Sequence, residues 1–251
     1  MKVDLNCDMG ESFGVFEVGN DEEIMPYITS ANIACGFHGG DPVVIRRSVE
    51  LAKKYNVQIG AHPSFPDLMG FGRRFMNCTP SEIKNYIIYQ LGALREFAKI
   101  FDIKIQHCKP HGALYMHAME DEQTARAILE AIAEIEEEII VFALNHSAVE
   151  YLGNKMGIPI ALEAYADREH TKSGSIVLTR RGEKVSNYNA LADRVVRMIK
   201  EQKVITNTGE DIDIKADTIC IHSDTPGASL LTKTIFNSLV ENNIKVESLK
   251  L

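Results

Sequence analysis

Short apolar runs alternate with longer stretches of helical periodicity along most of this chain. The runs at 2–7, 31–35, 57–61, 104–109, 139–144, 159–164 and 218–222 read as strands. Most are rich in Ile, Val and Ala without strict alternation, as in strands covered on both faces. Helices are predicted over 42–55, 80–101, 121–135, 147–156 and 188–202, and from Thr225-Pro226 to about 243. Two carry explicit start signals. Asp41-Pro42 offers an N-cap followed by proline at the first helical position. Thr79-Pro80-Ser81-Glu82 has the spacing of a capping box.

Strand–helix alternation predicts parallel strands with helical crossovers. No Pro/Ser-rich linker or tandem repeat divides the chain. The expectation is an α/β fold, a single-domain (β/α)7 barrel over 1–251, with a doubly wound open sheet as second choice. Two segments break the rhythm. Residues 63–78 form a long Gly/Pro/Phe-rich loop, a candidate lid. Residues 173–182 and 204–214 read as extra strands, the second a hairpin around Asn207-Thr208-Gly209. The acidic run Glu134, Glu136, Glu137, Glu138 reads as a solvated helix end.

Composition narrows the partners. The 251 residues carry 27 Lys and Arg against 35 Asp and Glu, a net charge of −8. That is the wrong sign for a general nucleic-acid binder, whose affinity comes from neutralising phosphates. No apolar stretch approaches the ~20 residues that span a bilayer, so no membrane partner is expected. The start, Met1 to Asp8, has no apolar signal core. The five cysteines are odd in number and form no C-x-x-C pair, which points to a reduced, cytoplasmic setting.

Polar residues gather just after the strands: Asn6, Asp8 and Glu11; His38 and Asp41; His62; Lys109 and His111; Asn145 and His146; Glu163, Asp167 and Arg168; His222 and Asp224. In parallel α/β folds these carboxyl ends share one face, which carries the active site. Asp41 reads more simply as a helix cap, His107 as core, and His117 and His170 as surface. The strand-end cysteines Cys7, Cys35, Cys108 and Cys220 read as small packing residues. Lys109 should meet a carboxylate, because an unpaired buried ammonium is costly. Asp8, His38, His62, His111 and His222 are suitable ligands for a divalent metal of the zinc or manganese kind, although no compact H-E-x-x-H pair exists. Neither a G-x-x-x-x-G-K-[ST] loop nor a G-x-G-x-x-G turn is present. Arg73 and Arg74 could clamp a carboxylate or phosphate or form a plain surface pair.

Several long segments resemble one known family. They are Asp4-Leu5-Asn6-Cys7-Asp8-Met9-Gly10-Glu11, Ala31-Asn32-Ile33-Ala34-Cys35-Gly36-Phe37-His38, Gly60-Ala61-His62-Pro63 and Gly70-Phe71-Gly72-Arg73-Arg74. Lys109-Pro110-His111-Gly112-Ala113-Leu114-Tyr115 and Glu163-Ala164-Tyr165-Ala166-Asp167-Arg168 continue the series. Together they resemble the LamB/YcsF lactam-utilisation family over essentially the whole chain. One departure is His222-Ser223-Asp224, where the family usually has His-Gly-Asp.

The resemblance implies a (β/α)7 barrel related to polysaccharide deacetylases and some glycoside hydrolases. It also implies ATP-dependent opening of 5-oxo-L-proline to L-glutamate, with ATP used together with Mg2+ and with 5-oxoprolinase subunits B and C as partners. The missing phosphate loop is consistent with a nucleotide site shared with a partner. For that chemistry, Asp8 or His62 would activate water and His111 would protonate the leaving nitrogen. Lys109 and Arg73 would hold the substrate carboxylate or phosphoryl oxygens. Asn6, Glu11, Glu163, Asp167, Arg168 and Asp224 would line the substrate, and His38 and His222 would complete the proton network or bind a metal. Two alternatives stay open: a stand-alone metal-dependent deacetylase or amidohydrolase, and a non-catalytic subunit that binds oxoproline.

Overall fold

The computed structural model describes residues 1–135, 138–177 and 187–250. The elements run β1 (Lys2–Met9), α1 (Asp21–Ile24), β2 (Ser30–Ala34), α2 (Pro42–Tyr55), β3 (Gln58–His62), α3 (Pro80–Ile100) and β4 (Ile105–Cys108). Next come α4 (Gly112–Glu120), α5 (Glu122–Glu134), β5 (Ile140–Ala143), α6 (Ala148–Met156), β6 (Ile160–Tyr165) and α7 (Tyr188–Lys200). The chain continues through β7 (Lys203–Ile205), β8 (Asp211–Asp213), β9 (Thr218–His222), α8 (Ala228–Glu241) and β10 (Lys245–Val246).

Strands β1, β2, β3, β4, β5, β6 and β9 pair in that order, all parallel. Pairing of β9 with β1, from Asp4↔Thr218 to Asp8↔His222, closes the ring. The result is the expected seven-stranded α/β barrel. β10 adds a short parallel ledge on β1, and β7–β8 form the expected hairpin outside the ring.

The two faces of the barrel wall differ in chemistry. In β1, Val3, Leu5, Cys7 and Met9 pack into the apolar core. Asp4, Asn6 and Asp8 alternate with them, equally buried, and bond to other strands across the barrel. The helices cover the outer wall. α3 lays down Ile83, Ile87, Leu91, Leu94 and Ala98, a stripe at helical spacing. Each such large apolar side chain contributes roughly 1.5–3 kcal/mol of burial. Thr79 and Glu82 form the expected capping box, and Asp41 accepts from the backbone amides of Val43 and Val44.

Several expectations change. α4 has no counterpart among the helices predicted from the pattern; it ends where Asp121 caps α5 through Thr124. The last helix starts at Ala228 and not at Thr225-Pro226, because Gly227 sits in the left-handed region at φ 87° and breaks any helix running through it. His170 is buried, not on the surface. Arg194 donates to its Nδ1 at 2.7 Å, and its carbonyl accepts from Asn207 beside the hairpin. Burial first, then Arg194, brings its pKa down to about 3. Of the strand expected over 173–182, the described part makes only a bridge between His170 and Ile176. Residues 178–182, like Glu136 and Glu137 of the acidic run, lie outside the described residues. No helix among the described residues is long and apolar enough to cross a membrane.

Candidate active site

The barrel strands deliver their carboxyl ends to one mouth, where parallel α/β folds place their sites. Asp8, near the end of β1, is the centre of the arrangement. Its Oδ1 accepts from Asn32 Nδ2 at 2.8 Å and from Lys109 Nζ at 3.1 Å. Its Oδ2 faces His62 Nε2 at 3.4 Å and His222 Nε2 at 4.0 Å. Burial alone would raise the Asp8 carboxyl. His62 and Lys109 outweigh burial and hold it well below the usual carboxylate range.

Lys109 follows β4 and is buried against protein carboxylates. Its ammonium lies 3.1 Å from Asp8 and 3.0 Å from Glu163, with the Cys220 sulfur at 2.9 Å. Burial opposes its charge, but the Asp8 and Glu163 carboxylates hold its pKa well above the ordinary lysine value. Glu163 is fully engaged. Its Oε1 accepts from Asn6, and its Oε2 accepts from the hydroxyls of Tyr115 and Tyr165 at 2.9 and 2.7 Å. Asn6 also accepts from Asn32, whose own amide oxygen accepts from His107 Nε2 at 2.8 Å. This chain of bonds fixes Asp8 from the barrel interior outward.

Gly60 is what lets His107 lie there. A Cβ on Gly60 would fall 2.0 Å from the His107 ring, which is itself stacked on Phe142. Burial, then Lys109 and His62, brings the His107 pKa down to about 3, so the ring is neutral.

On the opposite wall, Asp167 accepts from His222 Nδ1 at 3.0 Å and from Arg168 at 2.9 Å. Burial opposes the Asp167 charge, yet His222 and Arg168 bring its pKa down to about 2. The bond to Nδ1 turns His222 Nε2 toward Asp8. Arg73, from the long loop, donates to Asp224 at 2.8 Å. Arg74 pairs with Asp67 instead.

The third group is a nest of imidazoles. His38, in the glycine turn after β2, stacks flat on His111 at 3.7 Å between centroids. His62 ends β3 and stands edge-on to both rings. Glu11 Oε1 lies 3.2 Å from His38 Nε2 and 3.5 Å from His111 Nδ1. Burial, reinforced by Asp8 and Asp224, pushes the Glu11 carboxyl well above its ordinary value. Burial and the neighbouring imidazoles hold His38 and His111 well below the usual histidine range. Glu11, His38, His62 and His111 thus bring four potential ligand atoms within 4.8 Å of one another; Asp8, Cys220 and His222 form a second such group.

A cleft with an empty volume of about 430 Å³ opens onto Asp8, His62, Lys109, His111 and His222, walled by Arg73, Arg168 and Tyr165. A larger groove, about 1210 Å³, reaches Glu11, His38 and Asp224 between Phe13, Phe16, Leu68 and Met69.

The chain matches the LamB/YcsF family model over residues 3–251. It is 48% identical to the 5-oxoprolinase A subunit of Pyrococcus abyssi over 251 residues, covering 100% of this chain and 98% of that protein. The chain belongs to the LamB/YcsF family. It is also 50% identical to the 5-oxoprolinase A subunit of Clostridium beijerinckii over 246 residues, covering 98% of this chain and 96% of the relative. Among solved structures, the lactam utilization protein of Thermus thermophilus superposes with a TM-score of 0.92 at 41% identity, covering 99% of this chain and 100% of that one. A family 4 carbohydrate esterase from Streptomyces lividans superposes with a TM-score of 0.52 at 9% identity, covering 99% of this chain and 93% of the other, a likeness of fold.

In this LamB/YcsF chain the mouth gathers every rim residue singled out by chemistry, from Asn6 to Asp224, with three exceptions. Asp41 caps α2, and Asn145 exchanges two hydrogen bonds with the Lys215 backbone. His146 is exposed ahead of α6. Asn32, Tyr115 and Tyr165 join the site although spacing does not single them out; all three lie inside the family-like segments. Cys220, read as packing, touches the Lys109 ammonium. Burial, joined by Asp8 and Glu163 against Lys109, pushes its thiol pKa well up, so it stays a thiol. Ser223, the departure from the family pattern, has a buried hydroxyl with no hydrogen-bond partner among the described residues.

Proposed function

We propose that this chain is part of an ATP-dependent 5-oxoprolinase that hydrolyses 5-oxo-L-proline to L-glutamate, with ATP used as its Mg2+ complex. Its partners are the B and C subunits of that enzyme. One observation carries the reading: near-half identity over the whole chain to proteins named as the A subunit of 5-oxoprolinase.

A five-membered lactam is a stabilised amide, so its carbonyl needs activation. Phosphorylation of the carbonyl oxygen by ATP makes the ring carbon electrophilic. Attack by water then gives a tetrahedral intermediate with two exits. Loss of phosphate regenerates the lactam and wastes the ATP. Breaking the C–N bond opens the ring to an acyl phosphate, which a second water hydrolyses to glutamate and phosphate. A proton on the ring nitrogen selects the second exit.

Asp8 is the proposed base. It is ionised and faces the cleft, within reach of a water bound between it and the substrate. His222 is the proposed acid for the nitrogen. Asp167 holds its Nδ1, so Nε2 is the nitrogen presented beside Asp8. His111 is less suited to the acid role, because its Nε2 donates to the Phe71 carbonyl and its Nδ1 faces His62. Arg73 and Arg168 supply positive charge on the cleft wall for the substrate carboxylate and the phosphoryl oxygens. Lys109 keeps Asp8 ionised.

The test is glutamate release from 5-oxoproline and ATP, with and without candidate B and C subunits. Release only in the mixture supports the assignment. No release in any mixture of folded, associated proteins overturns it. Acetate release from acetylated sugars by this chain alone would favour the deacetylase alternative.

A further inference from the structure

We propose that Glu11, His38, His62 and His111 form a binding site for one divalent transition-metal ion of the zinc type. Hydrogen positions point to it. His62 Nδ1 lies 2.7 Å from the Lys109 carbonyl oxygen, and His111 Nε2 lies 2.8 Å from the Phe71 carbonyl oxygen. A carbonyl only accepts, so each of these nitrogens carries the hydrogen. That leaves His62 Nε2 and His111 Nδ1 as the ring nitrogens available to a ligand. They face each other at 2.9 Å. Glu11 Oε1 points at the same place, and so does His38 Nε2. The four ligand atoms lie within 4.8 Å of one another, a cluster that one small cation can bridge.

The backbone bonds also match the habit of metal-bound histidines, which donate their second N–H to a carbonyl or carboxylate that fixes the ring. A tetrahedral ion with ligands at about 2.0–2.2 Å spaces those ligands by roughly 3.3–3.6 Å. The three separations above, 2.9, 3.2 and 3.5 Å, span that range to within a few tenths of an ångström. Three imidazoles and one carboxylate suit zinc and its neighbours and are poor for calcium or magnesium. The scaffold is rigid. Gly72 lies so close that a Cβ there would fall 2.7 Å from the His111 ring and 2.8 Å from the His38 Cβ. Both clefts reach the group, which gives an ion a way in.

The rim then divides into two sets. The metal set takes Glu11 and leaves Asp8 and His222, which remain free to move protons. The metal site does not depend on the lactam reading, because binding is measured on the isolated full-length chain.

The chain is stripped with chelator, reloaded with Zn2+ or Co2+, and its bound metal counted by elemental analysis. One ion per chain is the expected result, with the intense visible absorption of four-coordinate Co2+. Glu11→Gln and His38→Ala, each checked for folding by circular dichroism, should weaken Zn2+ binding by more than the roughly 10–100-fold that loss of an outer-shell partner costs. His222→Ala should leave it unchanged. Wild-type protein that takes up no stoichiometric ion, or gives a weak six-coordinate Co2+ spectrum, overturns the proposal even if a variant fails to fold. So does an ion lost in His222→Ala but kept in Glu11→Gln, which would place it instead with Asp8, Cys220 and His222.

Discussion

Lys109→Met tests the electrostatic core of the site. The ammonium sits 3.1 Å from Asp8 and 3.0 Å from Glu163, and both carboxylates are buried, at 4% and 0% exposure. Methionine fills nearly the same volume, so packing is largely kept while the charge goes. Two buried carboxylates then lose their shared cation. Removing one member of a buried ion pair typically costs about 3–5 kcal/mol, because the remaining charge is left uncompensated. For a chain of this size that corresponds to a melting temperature lower by roughly 6–20 °C. Urea denaturation followed by circular dichroism reads the loss directly. The double variant Lys109→Met/Glu163→Gln removes one orphaned carboxylate as well, so it should be more stable than Lys109→Met alone. A loss below about 1 kcal/mol in the single variant, in the range of an exposed ion pair, would refute the reasoning. So would a double variant less stable than the single.

Asp167→Asn should lose about 2–3 kcal/mol at neutral pH, since the folded pKa of about 2 lies below an unfolded value near 3.9. That contribution is full above pH ~4 and disappears as pH falls through about 2, so wild-type and variant stabilities should converge there in acid titrations. The same variant should slow glutamate release in the assembled enzyme, because His222 loses the group that orients it. Gly60→Ala should destabilise by about 1–3 kcal/mol in thermal melts, since its Cβ would fall 2.0 Å from a His107 ring stacked on Phe142 and bonded to Asn32. A neutral Gly60→Ala would mean that His107 is not fixed as described.

The barrel is legible in the sequence because its strands are buried on both sides, and runs such as Ala31-Asn32-Ile33-Ala34 stand out between periodic helices. α2 and α3 are legible from their caps, since Asp41 and Thr79 do in space what their spacing promises. α4 is not, because it opens on Gly112, spans only nine residues, and Ala113 and Met116 blur the buried stripe of Leu114, Tyr115, Ala118 and Met119. The rim is legible for a topological reason: residues after parallel strands share one mouth whatever the side-chain details. Which rim residues touch depends on rotamer and register, and spacing carries neither. Glu11 therefore joins the three histidines while Asp8 turns to Lys109. Asn32, Tyr115 and Tyr165 are hidden for a related reason. They belong to strands and a helix, where a polar side chain reads as filler until the barrel closes and its interior proves polar. His170 reads as surface because its burial comes from the β7–β8 hairpin, about thirty residues further along the chain.

At the centre of the proposed mechanism, the mouth of this barrel opens a lactam with Asp8 as the base. The most direct measurement is glutamate release from 5-oxoproline and ATP by the complex assembled with Asp8→Asn in place of the wild-type chain. Asparagine keeps the shape and leaves Lys109 paired with Glu163, so the complex should assemble normally. Its turnover should fall by about 10²–10⁴-fold, the usual contribution of a positioned general base. A folded, assembled Asp8→Asn enzyme working within a few-fold of wild type would contradict the account.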